Sequence, residues 1–174
     1  MTTSTELVVL VDETGTPIGV ADKGSVHGPE TPLHLAFSCH VYDALGRVLV
    51  TRRALTKSTW PGVWTNSFCG HPSPSESTED AVARRALFEL GIEIAGLEVV
   101  LPDFRYRAVD ASGIVENEIC PVYRARTTDA VKPNSDEVSE FVWLEPLSLR
   151  TAVAAAPFAF SPWLGWQLEQ LHRS

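Results

Sequence analysis

The chain has 174 residues, 44% apolar and 21% charged, with a formal net charge of -8 and a pI of about 5.1. That length and composition fit one globular domain spanning residues 1–174, and the acidic balance argues against a nucleic-acid platform, which carries a basic face. No apolar run approaches the ~20 residues of a membrane helix. Residues 1–6 lack the basic and apolar regions of a signal peptide. Cys39, Cys69 and Cys120 make an odd set without metal-knuckle spacing. The expectation is a cytoplasmic protein with free thiols, and a monomer, since no heptad seam is present.

Residues 6–11 (ELVVLV) read as a strand ended by a turn at 13–15. Residues 22–32 carry Gly24, Gly28, Pro29 and Pro32 and read as a loop. From Leu33 the chain alternates, with Leu33, Leu35, Phe37, Cys39 and Val41 on one face and His34, Ala36, Ser38, His40 and Tyr42 on the other. That is the period of one strand. Residues 43–46 turn it into a second strand at 47–51. The segment 60–72 is rich in aromatic, glycine and proline residues and reads as a tightly shaped loop over a pocket.

Residues 77–90 form the strongest helix pattern. Ser77 with Asp80 resembles a capping box, Gly91 is a natural stop, and Val82, Ala83, Ala86, Leu87 and Leu90 make an apolar stripe. Strands recur near 97–107, 114–125 and 137–143. A last helix starts at Ser161-Pro162, with serine as N-cap and proline at the first helical position. The sum is a mixed α/β fold, a sheet flanked by a few helices.

The chemistry begins with VENEI at 115–119. Glu116 and Glu118 project from one face of a strand, and neighbouring carboxylates repel unless a cation lies between them. An acidic, solvated edge is the alternative, but the flanking Ile114, Val115, Ile119 and Val122 favour a buried sheet. His27, His34 and His71 would complete a five- or six-ligand set for Mn²⁺, Zn²⁺ or a similar ion. His40 lies about 20 Å from His34 along the strand and is left out, as is His172. Cys69 is either an inert buried thiol or, beside a histidine and a metal, a more easily formed thiolate.

Gly70, Glu76, Arg84, Glu89, Gly91 and Ile92 meet the spacing of the Nudix box, whose loop–helix–loop places glutamates on a Mg²⁺ bound to a diphosphate. Two glutamates of the box are replaced by Arg85 and Phe88, so a diphosphate frame remains while the hydrolytic metal centre is stripped. With TPLHLAF at 31–37, TRRA at 51–54, WPGVWTNS at 60–67, CGHP at 69–72, FRYR at 104–107, VENE at 115–118 and SPW at 161–163, the chain resembles the type 1 isopentenyl-diphosphate isomerases, a branch of the Nudix superfamily. The resemblance covers nearly the whole chain.

That resemblance implies a Nudix-like α/β/α sandwich and an isomerase of isoprene biosynthesis that interconverts isopentenyl and dimethylallyl diphosphate. It implies that His27, His34, His71, Glu116 and Glu118 hold one divalent metal, and that Glu89 with the Cys69 backbone carbonyl holds a Mg²⁺ at the substrate diphosphate. Cys69 and Glu118 would transfer protons, assisted by Tyr106. Lys23, Arg53, Lys57 and Arg85 would contact the diphosphate, and Trp163 the hydrocarbon. Protonating an alkene makes a tertiary carbocation, so the pocket must be dry and aromatic; Trp163, with Phe37 and Trp64, would wall it. The rivals are a Nudix diphosphate hydrolase and a non-catalytic, metal-stabilised binding domain.

Overall fold

The computed structural model describes residues 6–173; the N-terminal reading at residues 1–5 lies outside them. β1 (Leu7–Val11) and β2 (Pro17–Asp22) form an antiparallel hairpin. The expected loop at 22–32 contains a single helical turn, α1 (Lys23–Val26), because the Asp22 carboxylate accepts from the Gly24 N–H at 2.7 Å.

The single strand expected at 33–42 is two strands, β3 (His34–Leu35) and β4 (Phe37–Tyr42), in different sheets. β5 (Val48–Arg53) follows, and the aromatic segment folds into the short β6 (Trp64–Thr65) and β7 (Phe68–Gly70). Helix α2 (Thr78–Leu90) has the anticipated ends: Ser77 Oγ accepts from the Asp80 N–H at 3.1 Å, and Gly91 takes a left-handed φ of 63°. Its buried face, however, is Ala81, Val82, Arg85, Ala86, Glu89 and Leu90. Ala83 and Leu87 face outward, Leu87 with 61% exposure. An apolar stripe misplaces this face because a charged pair occupies its middle.

The segments expected at 97–107 and 114–125 are each broken into two strands, β8 (Ala95–Leu101) with β9 (Arg105–Val109), and β10 (Val115–Ile119) with β11 (Val122–Arg126). Pro121, without an N–H, cannot donate to a ladder and marks the second break. β12 (Val138–Leu144) comes next. α3 (Pro146–Ala155), which sequence pattern did not announce, has no side-chain cap hydrogen bond. The final helix α4 (Pro162–Arg173) starts where expected, and the Ser161 hydroxyl lies 2.8 Å from Thr65 Oγ1.

One sheet has the order β2-β1-β3-β10-β9; the other runs β12-β5-β4-β11-β8, with β6 on β5 and β7 on β4. β3 lies parallel to β10 and β4 parallel to β11. Both chain segments pass between sheets side by side, tied by Ala36 N–H to Ile119 O at 2.9 Å and Ser38 N–H to Pro121 O at 3.1 Å. β4 is buried on both faces from Phe37 to Val41. Phe37, Cys39, Val41 and Phe68 pack with Val82, Ala86 and Leu90 of α2, while Val48 and Val50 of β5 pack with Leu149, Val153 and Leu164 of α3 and α4. Truncating a leucine of this kind to alanine costs about 2–5 kcal/mol.

Candidate active site

The site lies where the two sheets meet. Register sets Glu118 of β10 opposite Tyr106 of β9 and beside His34 of β3. Tyr106 Oη donates to Glu118 Oε2 at 2.8 Å. Glu118 Oε1 lies 3.1 Å from His71 Nε2 and 3.5 Å from His34 Nε2. Glu116, two residues back on the same face, accepts from Thr59 Oγ1 at 2.7 Å and brings Oε2 within 3.0 Å of His27 Nε2. The three imidazoles cluster, with ring centroids 5.1, 5.2 and 5.8 Å apart. Burial works to raise the Glu118 carboxyl, but the two imidazoles set against it, His34 and His71, hold it well below the usual carboxylate range.

The donor set fits a metal ion. One ligand atom each from His27, His34, His71 and Glu118 lie mutually within 4.8 Å. His34 Nδ1 lies 2.9 Å from Pro32 O, a carbonyl that can only accept, so Nδ1 carries the proton and Nε2 presents a lone pair. Among the described residues, His27 Nε2, His34 Nε2, His71 Nδ1 and Glu116 Oε2 are buried without a hydrogen-bond partner. Unsatisfied polar atoms are rare in protein interiors, and those of His27, His34 and Glu116 beside the His71–Glu118 contact are what a shared cation would satisfy.

Cys69 lies on β7, and its Sγ donates to Asn66 Oδ1 at 3.3 Å. The same oxygen accepts from Trp163 Nε1 at 3.1 Å. Of the two readings of Cys69, these surroundings favour the buried thiol. Burial pushes the Cys69 thiol up to about 11, with the Glu118 charge adding to the rise and the hydrogen bond from Ser38 opposing it. Tyr106 is raised too, first by burial and then by Glu118 and Glu116, so both groups hold their protons at neutral pH.

The aromatic wall differs from the one expected. Trp163 packs edge-on against Trp60 at 5.1 Å and beside Tyr106 at 5.6 Å, with the Arg53 guanidinium 5.7 Å from its ring. Phe37 belongs to the core under α2, and Trp64 packs toward Phe160 in the core under α3 and α4. Both were the right residue type on the wrong side of a sheet.

A cavity of about 120 Å³ is lined by Cys69, Tyr106, Glu116, Glu118, His27, His71 and Trp163, together with Lys23, Arg53, Lys57, Arg85 and Glu89. Arg85 Nε donates to Glu89 Oε1 at 2.9 Å, and its Nη2 lies 3.3 Å from Glu137 Oε1. Lys57 also pairs with Glu137. Burial raises the Glu89 carboxyl, and Arg85 only partly offsets this. Glu76 and Arg84 form a two-bond pair at 2.7 Å each that braces the loop before α2. Thr59, Asn66 and Glu137 were not found from sequence. Asn66 stood inside the WTNS motif; Thr59 and Glu137 had no local signal.

This fold and its altered glutamate helix define a NUDIX domain: the sequence model of that domain matches residues 32–164. A structure of DR0079 from Deinococcus radiodurans superposes with a TM-score of 0.71 at 21% identity, covering 97% of this chain and 98% of the other. The MutT protein from Methanosarcina mazei Go1 superposes with a TM-score of 0.65 at 19% identity, covering 82% and 94%. Those identities speak to the fold alone. Sequence similarity reaches further. The isopentenyl-diphosphate Delta-isomerase of Agromyces mediolanus is 66% identical over 97% of this chain and 82% of its own length. Proteins of the same name from Clavibacter michiganensis subsp. michiganensis and Leifsonia xyli subsp. xyli are 62% and 60% identical, covering 87% and 94% of their own lengths. The chain belongs to the isopentenyl-diphosphate Delta-isomerase family.

Proposed function

We propose that this chain interconverts isopentenyl and dimethylallyl diphosphate by a 1,3-allylic proton shift. The observation that carries the reading is the convergence, on one cavity, of a thiol (Cys69), a phenol-bound carboxyl (Glu118 with Tyr106), a buried indole (Trp163) and several basic side chains. One proton is added to the alkene and another removed two carbons away. Cys69 and Glu118 hold or receive those protons, and Tyr106 orients the Glu118 carboxyl by its hydrogen bond. Trp163 faces the cationic carbon and excludes water.

His27, His34, His71, Glu116 and Glu118 would hold one divalent metal, Mn²⁺ or Zn²⁺, and Glu89 with the Cys69 backbone carbonyl a Mg²⁺. Bound there, these ions would fix the carboxylates and neutralise diphosphate charge. Lys23, Arg53, Lys57 and Arg85 contact the phosphoryl oxygens. Arg85 replaces a glutamate that would repel the same anion, which favours isomerisation over hydrolysis. The substrate is small, and the chain acts as a monomer. No described helix is long and apolar enough to cross a membrane.

The test is an NMR assay of isopentenyl diphosphate in D₂O with Mg²⁺ and the purified protein, alongside Cys69→Ala. Dimethylallyl diphosphate with deuterium incorporated, lost in the variant, is the expected result. Unchanged substrate, or release of inorganic phosphate, overturns the reading, the latter in favour of a hydrolase.

A further inference from the structure

Cys69 ends a run of buried polar groups that the proposed reaction leaves unused. His40 on β4, set aside from the metal set, places Nε2 2.9 Å from Gln167 Oε1 on α4. Gln167 Nε2 donates to Ser38 Oγ at 2.9 Å. Ser38 Oγ lies 3.3 Å from Cys69 Sγ and 3.4 Å from Cys120 Sγ. Exposure is 1% for His40 and 0% for both Ser38 and Gln167. Polar groups so deep are costly to bury unless each is satisfied, and a satisfied network holds its members in one arrangement.

The polarity of the run follows from the donor inventory. With Gln167 Oε1 turned to His40, the imidazole carries its proton on Nε2 and the amide N–H points to Ser38. The Ser38 hydroxyl has then accepted one bond and has a single proton to give to a sulfur. β4 and β7 are in register at Ser38 and Cys69, so the backbone already brings Oγ to Sγ. On its other side the sulfur meets Asn66 Oδ1, and the Asn66 amide is fixed by bonds to Cys39 O at 3.1 Å and Phe68 O at 2.7 Å. An amide does not release a proton readily, so the run orients groups and conducts nothing.

We propose that Ser38 is a positioning residue for the isomerase reaction, held by His40 and Gln167 so that its hydroxyl fixes the Cys69 sulfur at the cavity wall. The inference rests on the isomerase reading of the preceding subsection. A sulfur free to turn away from substrate lowers the rate of the chemical step, while the Cys69 backbone and the basic side chains that meet the diphosphate stay where they are.

The experiment combines steady-state kinetics on isopentenyl diphosphate with ¹⁵N NMR of the histidines in the unaltered protein. Ser38→Ala is expected to lower kcat about tenfold, the effect of one hydrogen bond, with KM within about twofold. Gln167→Met lowers kcat by a smaller factor, and His40 shows the Nε2–H tautomer. Full kcat in Ser38→Ala with an active wild type overturns the inference and leaves the isomerase reading standing. So does a change in KM alone. A His40 Nδ1–H tautomer, which needs no variant to fold, reverses the polarity and overturns it as well. An inactive wild type overturns the isomerase reading itself.

Discussion

Tyr106 and Glu118 face each other across adjacent strands and are joined by a 2.8 Å hydrogen bond from the phenol to Oε2, while the other carboxylate oxygen is turned to His71 and His34. The two oxygens of one carboxyl group therefore have different neighbours. One looks to the histidine cluster and the other to a proton-bearing phenol.

Tyr106→Phe removes that donor and keeps the ring packed against Phe104 at 5.9 Å and Trp163 at 5.6 Å. The expected outcome is a kcat about 10- to 100-fold lower, as for a lost hydrogen bond to a charged group, with a melting temperature lowered by only a few degrees. Steady-state kinetics beside thermal unfolding checks both halves. An unaffected kcat would mean that the hydrogen bond orients nothing needed in the reaction.

Removing divalent metal should expose the cost of the buried, unpartnered atoms of His27, His34 and Glu116. Dialysis against a chelator is expected to lower the melting temperature by about 5–10 °C, the equivalent of an ion present at roughly a hundred times its Kd. Mn²⁺ or Zn²⁺ should restore it, and His27→Ala should abolish the response. Calorimetric scans that superimpose with and without metal would remove the cluster from the list of metal sites.

The Glu76 carboxyl is drawn down to about 2, chiefly by hydrogen bonds from Arg84, with the Ser73 N–H adding to the effect. A carboxyl lowered in the folded state stabilises fully above its ordinary value of 4.5, and that contribution is lost as pH falls toward 2. With Arg84 partly solvated, Glu76→Gln is expected to cost about 1–2 kcal/mol at pH 7. The difference from wild type should shrink below pH 4.5 and vanish near pH 2. Urea unfolding across that range measures it; a gap that stays constant would assign the loss to packing.

Gly91 ends α2 with a left-handed φ of 63°, and a Cβ there would sit 2.9 Å from Lys132 O. Gly91→Ala should destabilise by about 1–3 kcal/mol, combining strain and contact. Gly113→Ala, at φ 88° with nothing within 4 Å, isolates the strain and should cost about 1 kcal/mol. Equal losses would show that Lys132 moves aside freely.

The ends of α2 were legible in the sequence because Ser77, Asp80 and Gly91 act locally, through bonds spanning a few residues. The site residues were legible as types, since a cluster of His, Glu and Cys has few structural uses. The split of 33–42 into two strands was not, because alternation continues unbroken through Ala36 while the strand changes partners. The face of α2 was misread where Arg85 and Glu89 satisfy each other and so tolerate burial. Trp64 points to the core under α3 and α4 because the β6–β5 pairing, a contact with residues more than ten positions earlier, decides which side its ring takes. His40 was set aside by its distance from His34, yet it reaches Cys69 through a helix more than a hundred residues later in the chain.

The paired passage of chain between the two sheets has a consequence for how the reaction geometry is kept. His34 and Ser38 flank one passage, at Ala36; Glu118 and Val122 flank the other, at Cys120 and Pro121. The carboxyl and the thiol are thus mounted on opposite arms of a rigid bracket whose joint is a few residues of hydrogen-bonded backbone. Loops around the rim can lengthen, shorten or change composition while the span between the two arms stays fixed. An inserted residue at Ala36, by contrast, would shift one arm against the other and leave each half of the site intact but out of reach of its counterpart.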